Sequence, residues 1–158
     1  MNLSERLKVV FAVFIAVQFL TLVLHDLVDI PGWTDGSQVQ AVIGRKKALW
    51  ATAINSVFPG VALALAIYAL FGPVPRFARQ YWVIYCVVTV ISAIAMWYVP
   101  YLLGTSESTK REYESMYAGT RQVLPARGDN PRPNLLHLCF HVLYVVNLGL
   151  AVAIGVRG

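Results

Sequence analysis

Apolar positions in this chain fall into four long runs separated by polar stretches, roughly residues 9–27, 48–71, 81–103 and 135–156. Each run approaches the ~20 residues that a helix needs to cross a hydrocarbon core. The pattern predicts four spanning helices, over about 7–28, 48–71, 80–103 and 134–156, in one transmembrane domain covering 1–158. Between the second and third runs lies only Gly72-Pro73-Val74-Pro75-Arg76-Phe77-Ala78-Arg79, so short that the two helices must be antiparallel neighbours. The other two connections are long. The first starts at Pro31-Gly32-Trp33 and reads as loop as far as the basic stop Gly44-Arg45-Lys46-Lys47. The second, 104–133, holds a helical stretch with Thr105 or Ser106 as cap, Tyr113, Met116 and Tyr117 on one apolar edge, and Gly119 at its end. The expected fold is all-α: an integral membrane, antiparallel four-helix bundle with a short amphipathic helix between helices three and four.

Composition strengthens the membrane reading. Apolar residues make up 58% of the chain and charged residues only 13%, a balance that a soluble domain of this size has difficulty hiding. The net charge of +5 does not point to nucleic acid, because Lys and Arg sit at the ends of apolar runs without exposed aromatics between them. Arg6 and Lys8 precede the first run as they would in a signal peptide. The run continues into Leu24-His25-Asp26-Leu27-Val28-Asp29 without a small-residue cleavage site, so an uncleaved helix is expected. Lys and Arg numbers favour a cytoplasmic position for the long connections, whereas a dominant first helix sets both termini there; the second arrangement is the expectation. Cys86 and Cys139 open the third and fourth helices on opposite membrane sides, too far apart for a disulfide. Both read as small, buried apolar residues.

Topology then gathers the polar residues. In an antiparallel bundle the ends of runs one and three share a side with the starts of two and four. His25, Asp26, Asp29, Thr52, Asn55, Ser56, His137 and His141 therefore occupy one half, under both long connections, with Gln18 deeper in. Gln18, His25 and Asp29 fall on one helical stripe. His137 and His141 are one turn apart on a shared face, with Tyr144 close to it. Pro59 should kink the second helix beside Asn55. Imidazole inside a membrane segment is costly unless something uses it, so a polar pocket under a lid is the economical explanation. The plainer readings are a helix end meeting headgroups for His25, Asp26 and Asp29, and helix–helix contact for Thr52 and Ser56.

Three functions fit such a pocket. The first is a site for a lipophilic small molecule that enters sideways from the bilayer, with acid–base chemistry of an isomerase-like kind. His141 or His137 would give or take the proton, with Asp29 or Asp26 orienting it. Asn55 would hold a polar head, and His25, Gln18, Tyr144, Met96 and Trp97 would complete the ligand contacts; the other reading of Trp97 is an interfacial belt. Three patches, Leu65-Ala66-Ile67-Tyr68-Ala69-Leu70-Phe71, Val83-Ile84-Tyr85-Cys86 and Arg132-Pro133-Asn134-Leu135-Leu136-His137, occur in the same order as similar patches in the EXPERA group of membrane proteins. The chain resembles that group over about half its length. The resemblance implies a four-helix bundle with a lipophilic cavity and acid–base groups on its helices. The chain departs from the group in having Asn55 and Ser56 where the second helix usually carries an acid, and Leu138 where Glu usually follows the histidine.

The second function is a haem or transition-metal site built from His25, His137 and His141, with an aspartate completing the set. The third is an accessory role without chemistry, in which the polar face docks on a larger membrane complex or on a second copy of the chain.

Overall fold

The computed structural model describes residues 2–157. It is all-α apart from one very small hairpin. Four of its helical segments, Leu3–Leu24, Arg45–Ala69, Arg76–Leu103 and Leu135–Val156, are long and apolar enough to cross a membrane. Helix α1 (Leu3–Leu24) is opened by Asn2, whose side chain accepts from the Glu5 N–H at 2.9 Å. It stops a turn earlier than the apolar pattern implies. The chain instead reverses through strands β1 (Asp29–Ile30) and β2 (Thr34–Asp35), with Gly32 at φ 77 in the turn. Pro31 cannot continue a helix, and the Thr34 hydroxyl bridges the Ile30 N–H and the Val28 carbonyl. Asp29 consequently lies on a strand, off the helical stripe of Gln18 and His25.

The stretch expected to be loop contains α2 (Gly36–Ile43), capped by Asp35 through the Gln38 N–H at 3.3 Å. Gly44, at φ 86, breaks it from α3 (Arg45–Ala69). After the Pro-rich turn, α4 (Arg76–Ala93) runs into a π-helical segment, Ile94–Tyr98, and then α5 (Val99–Leu103). Pro100 explains the widening. It has no N–H for the Met96 carbonyl and its ring would strike that oxygen, so the turn opens until Val99 N–H reaches Ile94 O. The amphipathic helix expected in the long connection is α6 (Glu107–Tyr117), capped by Ser106. Helix α7 (Leu135–Arg157) closes the chain.

Helix α1 lies against α3 and α7, and α4 lies against α7 and α3, so each long helix touches the two that run antiparallel to it. The half near the Pro-rich turn is solid. Phe11 and Ile15 of α1 meet Ala62, Ala66 and Ala69 of α3, Trp82 and Cys86 of α4, and Ala151 and Ile154 of α7. Alanines on one stripe of α3 let backbones approach closely. Phe11 and Trp82 meet at a tilt, their centroids 4.9 Å apart, and the Trp82 indole N–H donates to the Ala62 carbonyl at 3.2 Å. Lys8 is buried here, its ammonium donating to the carbonyls of Ala69 (3.2 Å) and Gly72 (2.9 Å) and paired with Glu5 at 2.9 Å.

At the opposite end the two long connections are stitched into one layer. Arg121 N–H donates to Gly32 O at 2.9 Å and Leu135 N–H to Arg121 O at 2.8 Å. Tyr113 OH reaches Arg132 O at 2.7 Å, and Gln38 Nε2 reaches Ser115 O at 3.0 Å. Both cysteines are free thiols; Cys86 is buried as expected, but Cys139 is exposed on the outer face of α7.

Candidate functional site

Beneath that layer the bundle is hollow. A cavity of about 620 Å³ lies between α1, α3, α4 and α7, with Tyr117 of α6 above it. Its inner wall, from the turn after α1 and from α7, is made of side chains that are buried or half-buried: His25, Asp26, His137, Phe140, His141 and Tyr144. Its outer wall is made of exposed apolar side chains, Ile54 and Phe58 on α3 and Ile84 and Val88 on α4. The mouth therefore opens sideways, between α3 and α4. Toward the turn this seam is shut by the Tyr81 hydroxyl, which donates to Phe58 O at 2.9 Å. Pro59 lies on the wall within α3, where it deprives the Asn55 carbonyl of its helical donor.

Local structure fixes the proton positions on the histidines. Asn134 precedes α7 and its Oδ1 accepts the His137 backbone N–H at 3.0 Å; its Nδ2 donates to Thr120 Oγ1 at 3.2 Å. With Asn134 Oδ1 thus an acceptor, His137 Nδ1, 2.7 Å away, must be the donor. The lone pair is left on Nε2, for which no protein partner exists among the described residues. The ring is gripped by Trp97, centroid to centroid 3.8 Å, and met edge-on by Tyr117 at 5.5 Å. His141 is engaged at one nitrogen only, Nδ1 with Tyr98 OH at 3.1 Å. The π-helical turn brings Trp97 and Tyr98 to these two imidazoles from one helix.

His25 is held differently. Its Nδ1 is 2.9 Å from the Leu22 carbonyl and must donate to it. Its Nε2 then faces the Asp26 carboxylate at 3.3 Å. A bare nitrogen lone pair against a carboxylate would repel, so this pair holds one shared proton, on either Nε2 or Asp26. Burial raises the Asp26 carboxyl above its ordinary 3.8, with the neighbouring His25 acting the other way. Burial, and then the Asp26 charge, also push the Tyr117 phenol upward. The His25 and His137 rings meet edge to face, their centroids 6.0 Å apart.

The structure brings together eight of the side chains expected at the site: His25, Asp26, Asn55, Met96, Trp97, His137, His141 and Tyr144 all line the cavity. Two lie elsewhere. Asp29 is exposed and accepts the Ser37 N–H at 2.8 Å, so it braces the start of α2 and is out of line with any imidazole. Gln18 is fully buried behind the wall, donating to the Tyr85 hydroxyl. The histidines do not form a metal set: no group of three or more His, Cys, Asp or Glu side chains suited to a metal ion occurs among the described residues. His25 already has both ring nitrogens occupied, and the His137 and His141 rings stand 6.4 Å apart. Sequence reasoning missed Asn134, Tyr98 and Tyr117. Asn134 carried a signal, an N-cap residue with a histidine at the third helical position.

Fold and site together define a class: an all-α protein with four candidate membrane-spanning helices around a side-opening, histidine-lined cavity. No family model, curated protein or solved structure matches the chain.

Proposed function

We propose that this is a multi-pass membrane protein that holds a lipophilic small molecule in the cavity, with both termini in the cytoplasm. One observation carries the reading: a cavity whose mouth is flanked by exposed apolar side chains and whose inner wall carries unsatisfied imidazole nitrogens. With the long helices in lipid, that mouth faces acyl chains, and a molecule dissolved among them reaches the site sideways. Inside it finds hydrogen bonds that hydrocarbon cannot offer. No Lys or Arg lines the cavity, and His25 and Asp26 neutralise each other. The head of the ligand is therefore an uncharged oxygen function. The His25–Asp26 proton and the His137 lone pair form a donor and an acceptor suited to isomerase-like proton transfer on such a ligand. On this reading the chain is a distant relative of the EXPERA group. In support, Tyr85 and His137, from two of the patches that carry the resemblance, both stand on the cavity wall.

The test is solvent extraction and mass spectrometry of protein purified in mild detergent. Wild type should retain a lipophile in near-stoichiometric amount, and His141→Ala and His137→Ala should lose it. If wild type retains nothing, no added lipophile competes, and His141→Ala has the same profile, the reading is wrong.

A further inference from the structure

We infer that the cavity has a second polar pole, at the hydroxyl of Tyr85, and that its ligand carries two uncharged oxygen functions about 10 Å apart. The inference rests on the lipophile-binding reading above. Tyr85 lines the cavity from α4 and is otherwise buried. Its hydroxyl oxygen accepts from Gln18 Nε2, and Gln18 Oε1 accepts from Asn147 Nδ2 at 2.7 Å. Gln18 is 1% exposed and Asn147 0%, so neither can touch a ligand. They act through Tyr85, as positioning residues.

The direction of this chain decides its chemistry. Asn147 Oδ1 is left without a partner. At its cavity end, the Tyr85 O–H has no acceptor in any hydrogen bond of the described residues. Successive bonds polarise one another, which strengthens that final donor. Thr89, whose hydroxyl donates to the Tyr85 carbonyl at 2.7 Å, lines the same stretch of wall. A purely hydrocarbon ligand tail would leave the Tyr85 hydrogen unsatisfied in an apolar setting.

Spacing follows from α1. Gln18 marks the deep pole and His25 the lid pole; seven residues at about 1.5 Å each separate them by about 10 Å along the axis. The class of ligand is thus a lipophile with a hydroxyl or carbonyl near each end, one meeting the histidines and the other the Tyr85 phenol.

Binding of heptanol and of heptanediol with both ends hydroxylated, whose extended chain matches this spacing, measured on the whole protein in nanodiscs, tests this. The quantity to follow is the diol-to-alcohol affinity ratio in wild type divided by that in Tyr85→Phe, which cancels the difference in lipid partitioning. A fall of about fivefold in the diol-to-alcohol ratio in Tyr85→Phe is expected for one lost hydrogen bond. Gln18→Leu should lower the ratio in the same sense, and thermal melting checks that it is folded. A ratio unmoved by Tyr85→Phe while heptanol still binds and is lost in His137→Ala overturns the second pole alone. Failure of both alcohols and of every extracted lipophile to bind overturns the underlying reading as well.

Discussion

Two buried polar groups at opposite ends of the bundle, Lys8 and His137, show what separates scaffold from site. Lys8 directs its ammonium to two carbonyls at the end of α3 and to Glu5, and the helices around it interlock on alanine and Trp82. Its hydrogen-bonding capacity is exhausted within the chain. His137 is equally buried but engaged at one nitrogen only, and the space before the other is hollow. Burial alone therefore says little about function in a helical bundle. The discriminating property is unsatisfied capacity facing a void.

That contrast can be broken most directly in the solid half. Trp82→Ala should cost about 3–5 kcal/mol, read as a fall in melting temperature or loss of folded protein, because the indole is fully enclosed. Ile84→Ala, two residues on but facing outward at the mouth, should stay within about 0.5 kcal/mol of wild type. Next in size is Lys8→Ala, which strands two carbonyls and Glu5 and should cost on the order of 2 kcal/mol in the same melt. A Lys8→Ala protein as stable as wild type would erase the distinction between the two ends.

At the hollow end the expected sign changes. His137→Leu keeps the volume and removes an unsatisfied polar group, so stability should hold or rise by up to about 1 kcal/mol while lipophile retention falls at least about tenfold. The smallest effect concerns pH. The Asp26 carboxyl is raised above 3.8 by burial, so the folded state holds that proton more tightly than the unfolded chain. The stabilisation is complete below 3.8 and is lost as pH rises through the folded-state value. Asp26→Asn mimics the protonated form and should show a flatter stability profile across that window; parallel profiles for the two proteins would remove Asp26 from the shared-proton pair.

Much of this architecture is legible in the residue pattern because lipid-length apolar runs and a short Pro-rich turn leave few alternatives. The same topology argument gathers His25, Asn55, His137 and His141 at one end without any knowledge of side-chain packing. What escaped was local. The apolar run carries α1 past its end, because Leu27 and Val28 continue it, whereas the Thr34 hydroxyl and the Gly32 turn pull the chain into a hairpin. A helix of that length would carry Asp29 into the site, and the pattern gives no sign of α2. The stripe shared with His25 points to Gln18 as a ligand contact, yet a stripe fixes direction only to within a helix face, and Gln18 is buried behind Tyr85, to whose hydroxyl it donates. The π-helical turn is written in the chain only as Pro100, a signal that reads equally well as a plain kink.

A mouth between α3 and α4 changes what concentration means for this protein. On the proposed reading, with both helices in lipid, occupancy would follow the mole fraction of the guest in the surrounding leaflet and owe little to its solubility in water. A scarce, nearly insoluble compound can fill the site by two-dimensional diffusion, while a soluble mimic with the same head finds no route to it. Screening in aqueous buffer would then rank candidates by their partitioning, and only assays normalised to membrane content would rank them by fit.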